Sequence, residues 1–314
     1  MMQRYFVLVI LFVLITSLVQ AQESSLYSNY LCNNFYNINP AAAGYDGDFI
    51  SQLTASKKWL GTDGSPANQV LSNSIRLGDA EFYDPHMFIN RPLINYAPRV
   101  GLGFTVFNES NGPMQYTGVM FAYAYHISMR SNHLSFGLSG LITQYHLNTQ
   151  EFKPVNPDDP SLYTNNSAIV PDVNVGALFY NPSLFAGISA NGLLNFNKTL
   201  GHTQTFPDIV VCAGNKFLLN PLFKFEPSLF IWKYGQGSLS VDVNGKLYFR
   251  DNNWLMLSYH GNGEILAGIG LNLKAGLQLY YTFAVSTNRL ATYNAGSHSI
   301  SIRANIVTLM RKHK

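Results

Sequence analysis

Ser238-Leu239-Ser240-Val241-Asp242-Val243-Asn244-Gly245-Lys246-Leu247-Tyr248-Phe249 decides the fold. Leu239, Val241, Val243, Leu247 and Phe249 share one parity, and Ser240, Asp242, Asn244 and Lys246 share the other. Successive side chains of a strand point to opposite faces, so this stretch predicts a strand with one apolar and one polar side. Ala275–Val285 repeats the pattern, with Leu277, Leu279, Tyr281, Phe283 and Val285 set against Gln278, Tyr280 and Thr282. Val100, Leu102, Phe104 and Val106 alternate with Gly101, Gly103 and Thr105, and Phe136 and Leu138 alternate with Ser135, Gly137 and Ser139. A soluble sandwich turns its polar face to water and fills it with Lys and Glu. Here Gly, Ser, Asn, Tyr and Thr fill it, which suits the packed, wet lumen of a membrane barrel.

Working outward, the same alternation predicts 14 strands, at about 49–59, 68–77, 99–107, 115–128, 132–146, 172–181, 184–195, 207–219, 222–234, 237–250, 253–260, 263–273, 275–287 and 296–308. An even number closes an antiparallel barrel with both termini in the periplasm. That parity puts the short turns at 129–131, 182–183, 220–221, 251–252 and 274 on the periplasmic side, and the long connections 147–171, 196–206 and 288–295 outside. Gly78–Pro98 breaks the rule. It is long yet falls in the periplasm, and Pro85, Pro92 and Pro98 argue against a regular strand. Trp59, Trp232, Tyr234, Tyr248, Trp254 and Tyr280 lie near strand ends and read as an aromatic girdle at the lipid–water boundary.

Composition agrees. Of 314 residues, 47% are hydrophobic and only 12% charged, against about 25% in a typical soluble domain. That excludes disorder. A net charge of +3, with no basic cluster beyond Lys57-Lys58 before the last four residues, excludes a nucleic-acid partner. Met1–Arg4, the apolar run Tyr5–Val19 and Val19-Gln20-Ala21 form a secretory signal peptide over 1–21. The expected organisation is then a periplasmic N-terminal segment at 22–48, the barrel at 49–308 and a basic tail at 309–314. Cys32 and Cys212 allow one bridge or two thiols.

The sequence carries no P-loop, no dinucleotide fingerprint, no His-Glu-x-x-His and no nucleophile elbow. Its eight His stand at no recognised zinc spacing. Asp46-Gly47-Asp48 and Asp158-Asp159 lack the ligand pattern of a calcium loop and read as turns. The expectation is therefore a non-enzyme with no metal and no cofactor. A solute channel and a barrel enzyme with a Ser/His pair at its outer rim remain as alternatives.

Six collinear motifs carry a resemblance. Asn34-Phe35-Tyr36-Asn37-Ile38-Asn39-Pro40-Ala41-Ala42-Ala43-Gly44 comes first, and Trp59-Leu60-Gly61-Thr62-Asp63-Gly64-Ser65-Pro66-Ala67-Asn68-Gln69 second. Gly101-Leu102-Gly103 with Asn108-Glu109-Ser110-Asn111-Gly112-Pro113, then Tyr123-Ala124-Tyr125, Leu134-Ser135-Phe136-Gly137-Leu138 and Asn294-Ala295-Gly296-Ser297-His298 follow in order. In these the chain resembles the PorP/SprF family, outer-membrane proteins of the type IX secretion and gliding machinery of Bacteroidetes. It departs from the family pattern at Lys57-Lys58, and at its end, where Arg303-Ala304-Asn305-Ile306-Val307 leads into a basic tail.

The resemblance implies a non-enzymatic role. The barrel would receive or anchor a secreted, adhesin-like cargo through a type IX C-terminal domain. It would also contact a peptidoglycan-linked periplasmic component, with outer-membrane lipid around it. Residues 35–69 and 78–98 are the expected contact segments. The candidate contact residues are Asn39, Pro40, Gly44, Trp59, Gly61, Gly64, Pro66, Gln69, Pro85, Pro92, Asn111, Gly112, Gly296, Ser297 and His298. On physical grounds alone the glycines and prolines among them build turns.

Overall fold

Fourteen antiparallel strands close on themselves. The computed structural model describes residues 34–77, 99–148, 167–194, 206–235, 237, 239–250, 253–273, 276–287, 292 and 294–311. The expected signal peptide, Cys32, Pro85, Pro92 and the 78–98 segment lie outside them. The strands are β1 Ile50–Lys57, β2 Ala67–Leu77, β3 Val100–Asn111, β4 Met114–Met129, β5 Asn132–Leu147, β6 Ser167–Tyr180 and β7 Leu184–Asn191. β8 runs Asp208–Asn215 and resumes at Phe217–Asn220. Then come β9 Phe223–Lys233, β10 Leu239–Phe249, β11 Asn253–His260, β12 Glu264–Asn272, β13 Leu277–Ser286 and β14 Ser297–Asn305. Each pairs with its sequence neighbour, and β1 pairs with β14 from Ile50↔Asn305 to Lys57↔His298, so no edge remains.

β8 breaks at Lys216, whose Nζ reaches Glu226 Oε2 at 3.2 Å and whose N–H donates to the Ser183 carbonyl at 2.6 Å. The expected last strand stops at Asn305. The Asn305 Oδ1 accepts from the Thr308 N–H at 3.1 Å and caps a short helix, α1 Ile306–Arg311. β6 begins five residues before its expected start.

The alternation sorts the wall as expected. Leu102, Phe121, Leu138, Ile169 and Ile300 are exposed on the outside, the lipid side of a membrane barrel, while Thr105, Ser135, Ser139, Asn174 and Ser301 are buried inside. The girdle expectation fails for five of its six residues, Tyr234 among them, since its ring stacks on the lumenal Trp232 with centroids 6.1 Å apart. Trp232, Trp254, Tyr248 and Tyr280 share the parity of Ser228, Asn244 and Thr282 and point into the lumen. There Trp232 Nε1 donates to Asp242 Oδ2 at 2.7 Å, and Trp254 packs on Tyr280 with ring centroids 5.1 Å apart. An indole N–H in hydrocarbon would lack such a partner. Gly268 and Gly270 serve the same packing, because a Cβ at Gly270 would stand 2.2 Å from the Trp254 ring.

The chain enters β1 at the end of the barrel where it leaves β14; we call this end proximal. The short turns 130–131, 181–183, 221–222, 250–252 and 273–276 are all proximal. The connections 58–66, 148–166, 192–207 and 287–296 are distal.

Candidate functional site: an occupied lumen and a clamped distal rim

Residues 34–48 lie inside the barrel. The periplasmic location expected for 22–48 does not describe them, because Asn34, Tyr36, Ile38, Asn39 and Ala41–Ala43 are all buried against the inner wall. Two 3-10 turns, Phe35–Asn37 and Pro40–Ala42, fold the segment. Pro40 opens the second, where a missing N–H costs no hydrogen bond. The Asn39 Oδ1 accepts from the Ala41 N–H at 3.1 Å and caps it.

The segment's own carbonyls find partners in the wall. Ile38 O accepts from Ser189 Oγ at 2.7 Å and Asn191 Nδ2 at 3.2 Å. Ala41 O accepts from Ser135 Oγ at 2.6 Å. Ala43 O lies 2.8 Å from His126 Nε2, whose Nδ1 is 3.0 Å from the Tyr180 hydroxyl. That hydroxyl accepts from Arg76 Nη2 at 2.6 Å. A relay therefore runs from Arg76 through Tyr180 and His126 to the segment. Asn39 Nδ2 donates to the Ala177 and Ile188 carbonyls at 3.1 and 3.3 Å.

Tyr36 fixes the other half. Its hydroxyl is 2.7 Å from Thr105 Oγ1 and 2.9 Å from the Asn73 and Phe104 carbonyls. Burial pushes the phenol pKa up, and those hydrogen bonds pull the other way without cancelling it. Ile38 packs in a cluster with Val210, Cys212, Phe230 and Trp232, and Cys212 is a buried free thiol there. Arg303 Nη2 holds Asp46 Oδ2 at 2.6 Å, and Asn305 Nδ2 holds Asp48 Oδ2 at 2.7 Å, which ties the segment down at the proximal mouth.

Glycine makes the approach possible. A Cβ at Gly101 would stand 1.9 Å from the Ala43 carbonyl oxygen, at Gly137 2.1 Å from the Ala41 nitrogen, and at Gly176 2.1 Å from Asn39 Oδ1. Bare wall backbone on β3, β5 and β6 thus seats the segment.

The remaining candidates gather at the distal rim. The β1–β2 hairpin, 58–66, is clamped on both sides. Leu60 and the 295–296 stretch exchange two backbone bonds of 2.8 Å, Leu60 N–H to Gly296 O and Ala295 N–H to Leu60 O. Gly112 N–H donates to Gly64 O at 2.8 Å. The Trp59 N–H donates to Ser297 Oγ at 3.2 Å. Trp59, Gly61, Gly64, Pro66, Asn111, Gly112, Gly296 and Ser297 therefore form one rim. Asn39, Pro40 and Gly44 do not join it; they are buried in the lumen. Gln69 faces outward on β2, and His298 faces outward on β14, 2.8 Å from the Tyr281 hydroxyl through Nδ1. Trp59 adopts φ 50, a left-handed conformation that costs a bulky residue energy. Its indole N–H is buried without a partner.

Among the described residues no three metal-ligating side chains cluster. Among the described residues, Ser128 Oγ lies 3.1 Å from His133 Nδ1. It lies beside the proximal β4–β5 turn, with the His133 ring stacked on Tyr180, and not at the distal rim.

These features define a closed β-barrel of the outer-membrane type with residues 34–48 seated in its lumen. A family model described as type IX secretion system membrane protein PorP/SprF matches residues 19–304, and the chain belongs to that family. No curated protein matches it. Among solved structures, the barrel is similar to the outer membrane protein Omp33 of Acinetobacter baumannii. The identity is 6%, over 82% of this chain and 98% of that one, with a TM-score of 0.47. It is also similar to the CymD monoaromatic hydrocarbon channel, at 11% identity over 90% and 92% of the two chains and a TM-score of 0.47. A Rh. blastica porin variant matches at 8% identity over 82% and 98%, with a TM-score of 0.34. Family and barrel together support an outer-membrane location.

Proposed function

We propose that this secretion component receives or anchors a secreted, adhesin-like surface protein at its distal rim, through the cargo's C-terminal domain. One observation carries the reading. Three motifs far apart in sequence, around Trp59–Pro66, Asn111-Gly112 and Gly296-Ser297, converge on one rim. The backbone there is locked by cross-loop hydrogen bonds and strained at Trp59. Strain held by its surroundings concentrates at sites that bind. Leu60, Gly61, Thr62, Asp63 and Gly64 stand exposed on that rim. Short turns at the proximal end fit a periplasmic orientation for it, which leaves the rim at the cell surface. A peptidoglycan-linked periplasmic component and the gliding machinery would then be met at the proximal end.

The solute-channel alternative loses ground, because lumen-facing Gln52, Thr105, Asn174, Ser258 and Ser301 are buried rather than solvated. The test is a Leu60→Asp, Thr62→Arg double substitution at the rim. The barrel should stay in the membrane and the cargo should appear in the medium. Retention of cargo on cells, with unchanged co-purification, would sink the rim as the contact.

A further inference from the structure

A barrel of this size is not filled by its own wall. Fourteen strands spaced about 4.8 Å and tilted about 40° enclose a ring about 28 Å across, backbone to backbone. Side chains fill the interior of a barrel of about eight strands; wider ones hold ligands, water or a plug. Here the segment 34–48 touches the wall on nine of the fourteen strands. It meets Ser72 on β2, Thr105 on β3, His126 on β4, Ser135 on β5, Ala177 on β6, Ser189 on β7, Cys212 on β8, Phe230 on β9 and Arg303 on β14.

Two properties of these contacts go beyond space filling. The seat is shaped for a backbone, since Gly101 and Gly137 leave no room for a Cβ between wall and segment. It is also specific, since three successive stretches of the segment have carbonyls bonded by wall side chains, at Ile38, Ala41 and Ala43. Peptide bound through main-chain groups, with small side chains at the closest approach, is a recognition mode and not loose packing. Leaving those carbonyls unbonded in the lumen would be costly, because a buried acceptor without a partner forfeits its hydration.

We propose that the inner wall over β2–β7 is a peptide-binding site for a short Asn-Pro-Ala-Ala-Ala-Gly sequence, occupied in cis by residues 34–48. The occupant is a resident plug that makes the barrel non-conducting. The proposal is independent of which cargo the distal rim meets.

The test uses full-length protein in planar lipid bilayers. Wild type gives no ion-conducting steps. Ala41→Trp adds a side chain that the segment cannot seat, and Gly137→Leu adds one the wall cannot; both open conducting steps. A soluble peptide of residues 34–48 then closes the Ala41→Trp channel, whose seat is intact, and fails on Gly137→Leu, whose seat is blocked. Steady current through wild type overturns the proposal, as does a folded Ala41→Trp barrel that stays silent, or one that the peptide leaves open.

Folding of each variant is read from heat-modifiable migration on gels. A second measurement stands if the variants do not fold. Ala42→Cys in a Cys32→Ser, Cys212→Ser background should resist a membrane-impermeant maleimide until denatured, with labelling slowed at least 100-fold against unfolded protein. Labelling at the unfolded rate also overturns the proposal.

Discussion

Gly137→Ala and Gly140→Ala differ by three positions on one strand, and the structure expects opposite results from them. A Cβ at Gly137 falls 2.1 Å from the Ala41 nitrogen, 2.2 Å from the Pro40 carbonyl carbon and 2.5 Å from the Ala41 Cα. All three are backbone atoms, so no side-chain rotation relieves the clash. To reach ordinary contact at 3.4 Å the segment must recede by about 1.3 Å. That breaks the 2.6 Å bond from Ser135 Oγ to Ala41 O and leaves a buried carbonyl and hydroxyl without partners.

Overpacking costs about 1–3 kcal/mol and the lost bond about 1 kcal/mol more, which places Gly137→Ala at about 2–4 kcal/mol. At Gly140 a Cβ meets no atom within 4 Å. Alanine there only narrows the unfolded ensemble and gains about 0.5 kcal/mol. The gap is about 3 kcal/mol, or about 1 M in urea midpoint for a slope of about 3 kcal/mol per molar. Urea unfolding in lipid vesicles, followed by fluorescence of the lumenal Trp232 and Trp254, reads it directly. Two midpoints within 0.3 M (about a third of the expected gap) would refute the seat as described.

Further outcomes concern the segment's other ties. Tyr36→Phe removes a hydroxyl that meets Thr105 and the Asn73 and Phe104 carbonyls, and should cost about 1–2 kcal/mol near neutral pH. The same variant changes the alkaline limb. Burial raises the phenol's folded-state pKa above its unfolded value of about 10, so its contribution is whole below pH 10. The contribution is lost as pH rises, because only the unfolded chain ionises there. Wild type should therefore lose about 1.4 kcal/mol per pH unit above 10 that Tyr36→Phe does not, in paired urea titrations. Asp46→Asn breaks the 2.6 Å pair with Arg303, both side chains about one-fifth exposed, and should cost about 1–2 kcal/mol after screening. Hydrogen exchange at the Ala42 and Ala43 amides should quicken several-fold; unchanged exchange would mean that the proximal tie does not hold the segment.

The wall was legible because its code has a period of two. Leu277 to Val285 and Ser238 to Phe249 announce their faces residue by residue, and a barrel has no edges to blur the pattern. The aromatic girdle does not follow from position along a strand, because parity decides which side of the wall a ring takes. Tyr280 stands in register with Gln278 and Thr282, and Tyr248 with Asn244 and Lys246, so parity alone assigns both to the lumen. The segment 34–48 was hidden for a different reason. Its Asn, Pro, Ala and Gly residues read as turns, and they do build turns; its burial depends on contacts 30 to 257 positions away. One signal was available. Gly101, Gly103, Gly137 and Gly176 all sit on the inward parity, where lone glycines mark another backbone close by.

Two motif-bearing strands, β3 and β14, link the buried segment to the distal rim. β3 carries Gly101 and Gly103 under the plug at its proximal end and Asn111 at its distal end, where Gly112 leans on the β1–β2 hairpin. β14 carries Arg303, bonded to Asp46, at one end, and Ser297, bonded to Trp59, at the other. Each strand is thus a rigid rod between the plug and the rim. A hydrogen-bonded ladder such as Ile50↔Asn305 to Lys57↔His298 resists slippage, because a one-residue shift would turn every side chain to the wrong face. Events at the two ends of this sector therefore share a scaffold. A rim held in strain at Trp59 and a segment seated on bare backbone both require that sector to keep one register.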